Sequence, residues 1–257
     1  PYLPSWCECA TKRYCTIGKV AEKSGPKVSL NLSHVRVVGA GLIGTSIALA
    51  LKSAGIRISL ADSDPRAESL ARDLLGTGDP EGIEELCIIA TPPDALIKVI
   101  SVEFSRNPEL RVMDISSIKT KPLLDVSKTP LSLSRFAPTH PMAGREVSGP
   151  ESARGDLFIG RPWVLVREGV DQDLLLRVEE VIAICGGVLI SRSAHDHDRA
   201  VAQVSHLPQI LASLLARSLR SADGSDLELA GAGLRDTTRL ADSDPVLWGQ
   251  IIAGNAH

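Results

Sequence analysis

Aromatic residues are scarce. Three Phe, three Trp and two Tyr make up 3% of the 257 residues, so any core must rest on Leu, Ile, Val and Ala. Long apolar runs are missing too. None approaches the roughly 20 residues that span a bilayer, and no apolar core of the signal-peptide kind stands near the N-terminus. The chain therefore reads as cytoplasmic, with no membrane partner. A surplus of one charge is also lacking: 28 Lys and Arg face 31 Asp and Glu, for a formal net charge of −3. Nothing in that balance points to nucleic acid. The five cysteines are an odd number and make no disulfide framework in a chain of this length. Cys87 and Cys185 lie in apolar runs and read as buried thiols. Cys7, Cys9 and Cys15 lack a fourth ligand at familiar spacing, so no metal site is assigned to them. They sit in a basic stretch that starts at Pro1, and residues 1–32 are expected to form a disordered extension outside the fold.

From Val35 onward the pattern is regular. Val35-Arg-Val-Val38 is a short β-branched run ending in Gly, which predicts a buried strand. Ile43, Ile47, Leu51 and Ala54 share one face of a predicted helix that Gly55 stops. Strands are expected at 56–60, 86–90 and 111–114, with helices over 65–75 and 94–104 between them. Strand, helix, strand at this rhythm predicts a doubly wound, mostly parallel sheet of Rossmann type. Two later strands (162–166 and 187–190) flank a helix over 171–184. Beyond Ser193 the strands stop. One long helical pattern over 195–220, broken near Pro208, is followed by more helix over 226–254. The reading is α/β: a dinucleotide-binding domain over 33–191, then a smaller all-α domain over 192–257.

The chemistry starts at the first turn. Gly39-Ala-Gly41-Leu42-Ile43-Gly44 follows a strand and opens a helix. Gly39 allows the tight turn, Gly41 lets backbone approach a pyrophosphate, and Gly44 lets helix pack on strand. The helix N-terminus offers amides and a positive dipole end to phosphate. Asp62, about 20 residues on at the end of the next strand, suits ribose hydroxyls and disfavours a 2′-phosphate. The expected cofactor is NAD rather than NADP, although Arg66 nearby could soften that preference. Thr91, after the third strand, either lines the nicotinamide half or only precedes the helix begun by Pro92-Pro93.

Two stretches are rich in reactive groups. Asp114-Ile-Ser-Ser117-Ile-Lys119 follows the fourth strand, and Thr139-His140-Pro-Met-Ala-Gly144-Arg-Glu146-Val-Ser-Gly149 comes later. Both are expected at the sheet edge that carries the glycine turn. A His there can take a proton from a substrate hydroxyl while hydride leaves for the nicotinamide. In the helical half, Pro208 within Ser205-His206-Leu-Pro-Gln209 frees backbone groups, for a packing or a ligand reason. Arg239 could grip a carboxylate with two parallel hydrogen bonds, or it could belong to a solvated helix face.

Taken together these motifs resemble the prephenate and arogenate dehydrogenase family of tyrosine biosynthesis. The resemblance runs over about residues 34–254 and adds Arg235-Asp-Thr-Thr-Arg239, Asp244-Pro245 and Trp248 to the blocks above. It implies an oxidoreductase in which hydride passes from C4 of a cyclohexadienol to NAD⁺ while CO₂ leaves C1. It implies His140 as the group that takes the hydroxyl proton and Ser117 as the group that orients hydroxyl and nicotinamide. Arg239 is implied as the carboxylate anchor, with Glu146 and Asp236 gating it, and His206 and Gln209 as pocket residues. A homodimer through the C-terminal helices is implied as well. Gln209 departs from the family, which often has a second His there, and the chain stops at His257, early for the family. Other readings stay open: arogenate in place of prephenate, another two-domain reductase of the β-hydroxyacid type, or a non-catalytic NAD-binding module.

Overall fold

The computed structural model describes residues 32–256, except 77, 79 and 145–148. The expected extension over 1–32, with its three cysteines, lies outside the described residues save for Leu32, which is buried.

Seven strands form one sheet in the order β2-β1-β3-β4-β5-β6-β7. They are β1 (His34–Val38), β2 (Arg57–Ala61), β3 (Leu86–Ile89), β4 (Val112–Asp114), β5 (Phe136–Pro141), β6 (Pro162–Leu165) and β7 (Val188–Ser191). All neighbours run parallel except β5 and β6, which are antiparallel. Strands two residues apart in phase feed two cores. Val35, Val37, Ile88, Met113 and Ala137 face one layer. Val38, Cys87, Ile89, Val112 and Phe136 face the other. That alternation is the period-2 geometry of a strand buried on both faces. Helices α1 (Leu42–Ser53), α2 (Pro65–Leu75) and α5 (Gln172–Ile184) cover the first face, and α3 (Leu96–Arg106) and α4 (Thr120–Val126) the second. Arg36, between two inward valines of β1, points to the α3 side and pairs with Glu103 at 2.6 Å. Burying both partners is tolerable because each satisfies the other.

The strand order reverses between β2-β1 and β3, so the loops after β1 and β3 diverge at a crevice. Two elements go beyond the sequence reading. Phe136–Pro141 is a full strand despite its two prolines. Thr139 holds it in place: its hydroxyl donates to Asp114 O at 2.8 Å and accepts from Trp163 Nε1 at 3.1 Å. Pro138 joins the sheet through its carbonyl, which accepts from Val166 N at 3.0 Å. The long helix expected over 195–220 is divided. It comprises α6 (Ala194–Val201), a π turn (Ala202–His206) and α7 (Leu207–Ser218). Pro208 has no N–H and its ring crowds the carbonyl four residues back, and the wide turn absorbs that conflict just before it. The helix expected over 226–254 is likewise in pieces: α8 (Gly224–Leu227), α9 (Ala232–Thr238), a 3₁₀ turn (Arg239–Asp242) and α10 (Pro245–Gly254). Asp244 caps α10 by accepting from Val246 N and Leu247 N.

Candidate functional site

The glycine turn sits at the switch point. Gly39 has φ of +110°, and a Cβ there would collide with the Ala90 carbonyl. A Cβ on Gly44 would meet the Gly39 carbonyl and, at 2.9 Å, the Ala90 side chain. Both positions are closed to any side chain by backbone that cannot yield. Gly41 is different, since a Cβ there would meet nothing within 4 Å. It caps α1 without any side-chain hydrogen bond. The twelve-residue helix therefore offers its first amides, Leu42 and Ile43 among them, to an open space, which suits a phosphate. Asp62 closes the other side. Its carboxylate accepts from Ala40 N at 2.6 Å and from Asp64 N at 2.8 Å, which sets it at the mouth of the turn with lone pairs to spare. At the end of β3 the Thr91 hydroxyl is buried and has no partner among the described residues. A buried hydroxyl left unpaired costs about 1–3 kcal/mol, and a ligand in the crevice would remove that cost. The residues fit a dinucleotide.

The second part of the site lies at the ends of β4 and β5. Asp114, fully buried, accepts from Ser116 N at 3.0 Å and from the Ser116 hydroxyl, and it pairs with the Lys119 ammonium. Lys119 Nζ also donates to Thr139 O at 2.6 Å, so a buried ion pair ties the 114–119 loop to the residue before His140. Burial lowers the Lys119 ammonium from its usual range, against the pull of Asp114 and Asp198. Ser117 is partly exposed at the bend of this loop.

His140 is held by a chain that sequence reasoning missed. Its Nδ1 lies 2.8 Å from His197 Nε2, and His197 Nδ1 lies 2.7 Å from Asp198 Oδ1. Asp198 also accepts from Lys119 N and Thr120 N, each at 2.8 Å. Burial works to raise the Asp198 carboxyl, but hydrogen bonds from His197, Thr120 and Lys119 outweigh it and hold it at about 2. An ionised carboxylate only accepts, so His197 must carry its proton on Nδ1. In a neutral His197 ring Nε2 is then an acceptor, so His140 donates from Nδ1 and its Nε2 is left with a free lone pair. Burial pushes the His140 imidazole well below its usual range, and the neighbouring His197, Lys119 and His206 push the same way while Asp198 opposes them. The ring is a neutral base with its acceptor nitrogen fixed.

A signal for His197 and Asp198 does exist in the sequence. Positions 197, 198 and 201 are the buried stripe of α6, so two polar residues fall where the helical period wants apolar ones. That signal is diluted because the flanking His195 and Asp196 are polar and exposed.

The remaining expected residues spread out from this chain. His206, in the π turn, is buried and meets Trp248 edge to face, with ring centroids 6.0 Å apart. Gln209 is buried as well. Its amide nitrogen donates to Leu240 O at 2.8 Å, so in this structure it anchors the turn that carries Arg239. Arg239 and Asp236 are exposed, on that turn and on α9. Glu146 lies outside the described residues. A cavity of about 350 Å³ opens beyond β5 between Met142, Ala143, Gly144, Arg154 and Arg161. The loop bearing Arg154 is tied to α1 by a hydrogen bond from Arg154 N to Ser46 Oγ at 3.0 Å.

Sheet, switch point and glycine turn define a dinucleotide-binding α/β protein with a helical C-terminal region. The chain belongs to the prephenate dehydrogenase family. Residues 47–191 match the family's nucleotide-binding domain, and residues 193–257 match its dimerization domain. It is 36% identical over 225 residues to a probable prephenate dehydrogenase of Streptomyces niveus, covering 86% of this chain and 62% of that protein. It thus spans less than two thirds of that relative's length. Among solved structures it is similar to the prephenate dehydrogenase of A. aeolicus in complex with hydroxyphenyl propionate and NAD⁺. The identity there is 29% and the TM-score 0.79, over 89% of this chain and 84% of that one. It is also similar to the arogenate dehydrogenase of Synechocystis, with 26% identity and a TM-score of 0.70 over 87% and 84% of the two chains.

Proposed function

We propose that this protein oxidatively decarboxylates prephenate with NAD⁺, giving 4-hydroxyphenylpyruvate and CO₂. The observation that carries the reading is the hydrogen-bond chain Asp198–His197–His140, which leaves His140 Nε2 as a fixed, neutral acceptor near the end of β5, on the sheet edge that carries the glycine turn. Gly39, Gly41 and Gly44, with the first amides of α1, would hold the pyrophosphate. Asp62 would take the ribose hydroxyls, and Thr91 and Ser117 would line the nicotinamide end. NAD⁺, when bound there, supplies the hydride acceptor.

His140 accepts the proton of the substrate 4-hydroxyl as hydride leaves C4. The new positive charge is shared along the chain: His140 donates from Nδ1 to His197, and His197 donates to the Asp198 carboxylate. Loss of the C1 carboxylate as CO₂ makes the ring aromatic, and His140 returns the proton to the phenolate oxygen. No net proton is consumed. General base work of this kind contributes about a hundredfold to ten-thousandfold in rate. Arg239 would bind a substrate carboxylate, with Asp236 one helical turn before it and His206 in the pocket wall. Arogenate differs only in its side chain, and the likeness to the Synechocystis enzyme makes it the second substrate to try.

The C-terminal helices would pair with a second copy of this chain. Val204, Leu207, Leu211 and Leu214 form one stripe at three- and four-residue spacing, opposite the buried Gln209 and Ala212, and all four are exposed. Leu211 is 56% and Leu214 58% exposed. Such a stripe is the sort of surface that helices bury against each other, and it falls in the region matching the dimerization domain.

The test is direct. Purified protein is mixed with prephenate or arogenate and NAD⁺ or NADP⁺, and reduced cofactor is followed by absorbance. Turnover is expected with NAD⁺ and prephenate. A folded protein that binds NAD⁺ and turns over neither substrate would defeat the reading.

A further inference from the structure

The end of α10 reaches the centre of the site. Gly254 packs so closely on the loop after β4 that a Cβ there would collide with Ile118 and come within 3.4 Å of Lys121. This brings Asn255, the next residue, against α6 and the π turn. Asn255 Nδ2 lies 2.9 Å from Asp198 O and 3.2 Å from His206 Nδ1.

The first contact settles the second. A backbone carbonyl can only accept, so Asn255 must present its NH₂ group to Asp198, not its oxygen. The other hydrogen of that group faces His206 Nδ1, which must therefore carry a lone pair. A neutral ring with an acceptor at Nδ1 has its proton on Nε2. His206 Nε2 has no hydrogen-bond partner among the described residues, and burial, with His197 nearby, keeps the ring below its usual range while Asp198 opposes.

We propose that Asn255 is a positioning residue that locks His206 as its Nε2–H tautomer and so makes it a neutral hydrogen-bond donor to the carboxylate or carbonyl of the substrate side chain. The donor role rests on the proposed dehydrogenase activity, whereas the tautomer rests on geometry alone. His140 and His206 are then fixed in complementary forms. Asp198 makes His140 an acceptor at Nε2, and Asn255 makes His206 a donor at Nε2. One residue, Asp198, joins both, through its carboxylate on one side and its backbone carbonyl on the other.

The experiment separates the two parts. Protein carrying isotope-labelled histidine is examined by long-range proton–nitrogen correlation near neutral pH, with His206→Gln used to assign the signal. His206 is expected as the Nε2–H form. In Asn255→Asp the carboxylate cannot donate to Nδ1, and the proton is expected to move to Nδ1. The substrate KM should rise about tenfold, the effect of one lost hydrogen bond, with kcat within about twofold and NAD⁺ affinity unchanged. A wild-type His206 protonated on Nδ1 overturns the proposal, as does an Asn255→Asp protein that keeps the Nε2–H form. Should that variant not fold, the wild-type spectrum still decides. If the tautomers behave as stated and no substrate turns over, the activity fails and the assignment of His206 stands.

Discussion

The sheet region and the helical region meet their hydrophobic requirements in opposite ways. From β1 to β6 most strand residues feed one of two closed cores, and Val35, Val37, Ile88, Met113 and Phe136 are fully buried, while the edge strand β7 stays largely exposed. Beyond β7 the fully enclosed apolar side chains among the described residues are Val201, Ala212 and Ile251. Val204 stands 69%, Val246 68% and Leu229 86% exposed. Besides the close packing of Gly254 on Ile118, polar ties hold the helical region to the sheet region: Asp198 to the amides of Lys119 and Thr120, and His197 to His140. A region that closes its own core can fix backbone to within a fraction of an ångström. A region with apolar surface to spare is completed by what covers it. The candidate chemistry sits on the seam, with its acceptor on the rigid side and its orienting groups on the other.

The largest expected effect comes from cutting the seam. His140→Asn should lower kcat about a thousandfold while NAD⁺ binding persists, because the hydrogen bond it cuts runs to His197 and not to the residues proposed to hold the cofactor. Loss of NAD⁺ binding in that variant would mean the two regions are not separable in this way. Next comes the same substitution made in each region. Gly44→Ala drives a methyl into the Gly39 carbonyl and Ala90. It should cost about 3 kcal/mol of stability, as overpacking against fixed backbone does, and abolish NAD⁺ binding. Gly249→Ala, inside α10 where a Cβ meets nothing within 4 Å, should instead stabilise by about 0.8 kcal/mol through helix propensity. Denaturant melts of both proteins check the signs. Equal losses at the two positions would erase the contrast.

The same contrast explains what the sequence disclosed. Strands of the sheet region were legible because burial on both faces writes itself as β-branched runs, and the turn at Gly39–Gly44 because backbone collisions forbid anything else. Asp62 followed from its distance along the chain. The strand at 136–141 was hidden by Pro138 and Pro141, since it is held by Thr139 and Trp163 rather than by propensity. His197, Asp198 and Asn255 were illegible as a group. Their meaning is a hydrogen-bond chain across 140, 197 and 255, and no local period encodes contacts that distant. Gln209 was expected in the substrate pocket, and its contact with Leu240 is equally non-local.

A smaller effect probes the exposed stripe. Leu211→Asp places a charge in the middle of Val204, Leu207 and Leu214, and should weaken self-association at least tenfold, given that burying a leucine is worth about 1.5–3 kcal/mol. Light scattering across a dilution series reads this out. A wild-type protein that is monomeric at all concentrations would show that the stripe is covered by something other than a second copy.

The smallest effect is one of pH, and it acts on the seam alone. Burial and the neighbouring His197, Lys119 and His206 hold the His140 imidazole well below its ordinary value near 6.5. Folded protein therefore binds this proton less readily than unfolded chain. Below pH 6.5 the unfolded state takes it up first, so stability falls as the pH drops toward the folded-state value, and is fully present above 6.5. The acid limb of kcat/KM should likewise lie below 6.5, because the free base persists there. His140→Asn removes this titration, so its melting temperature should drop less than that of the wild type between neutral and acid pH. The cofactor turn carries no such group, and NAD⁺ affinity should stay level over the same window. An acid limb at or above 6.5 would place His140 in a wetter setting than the chain through His197 and Asp198 provides.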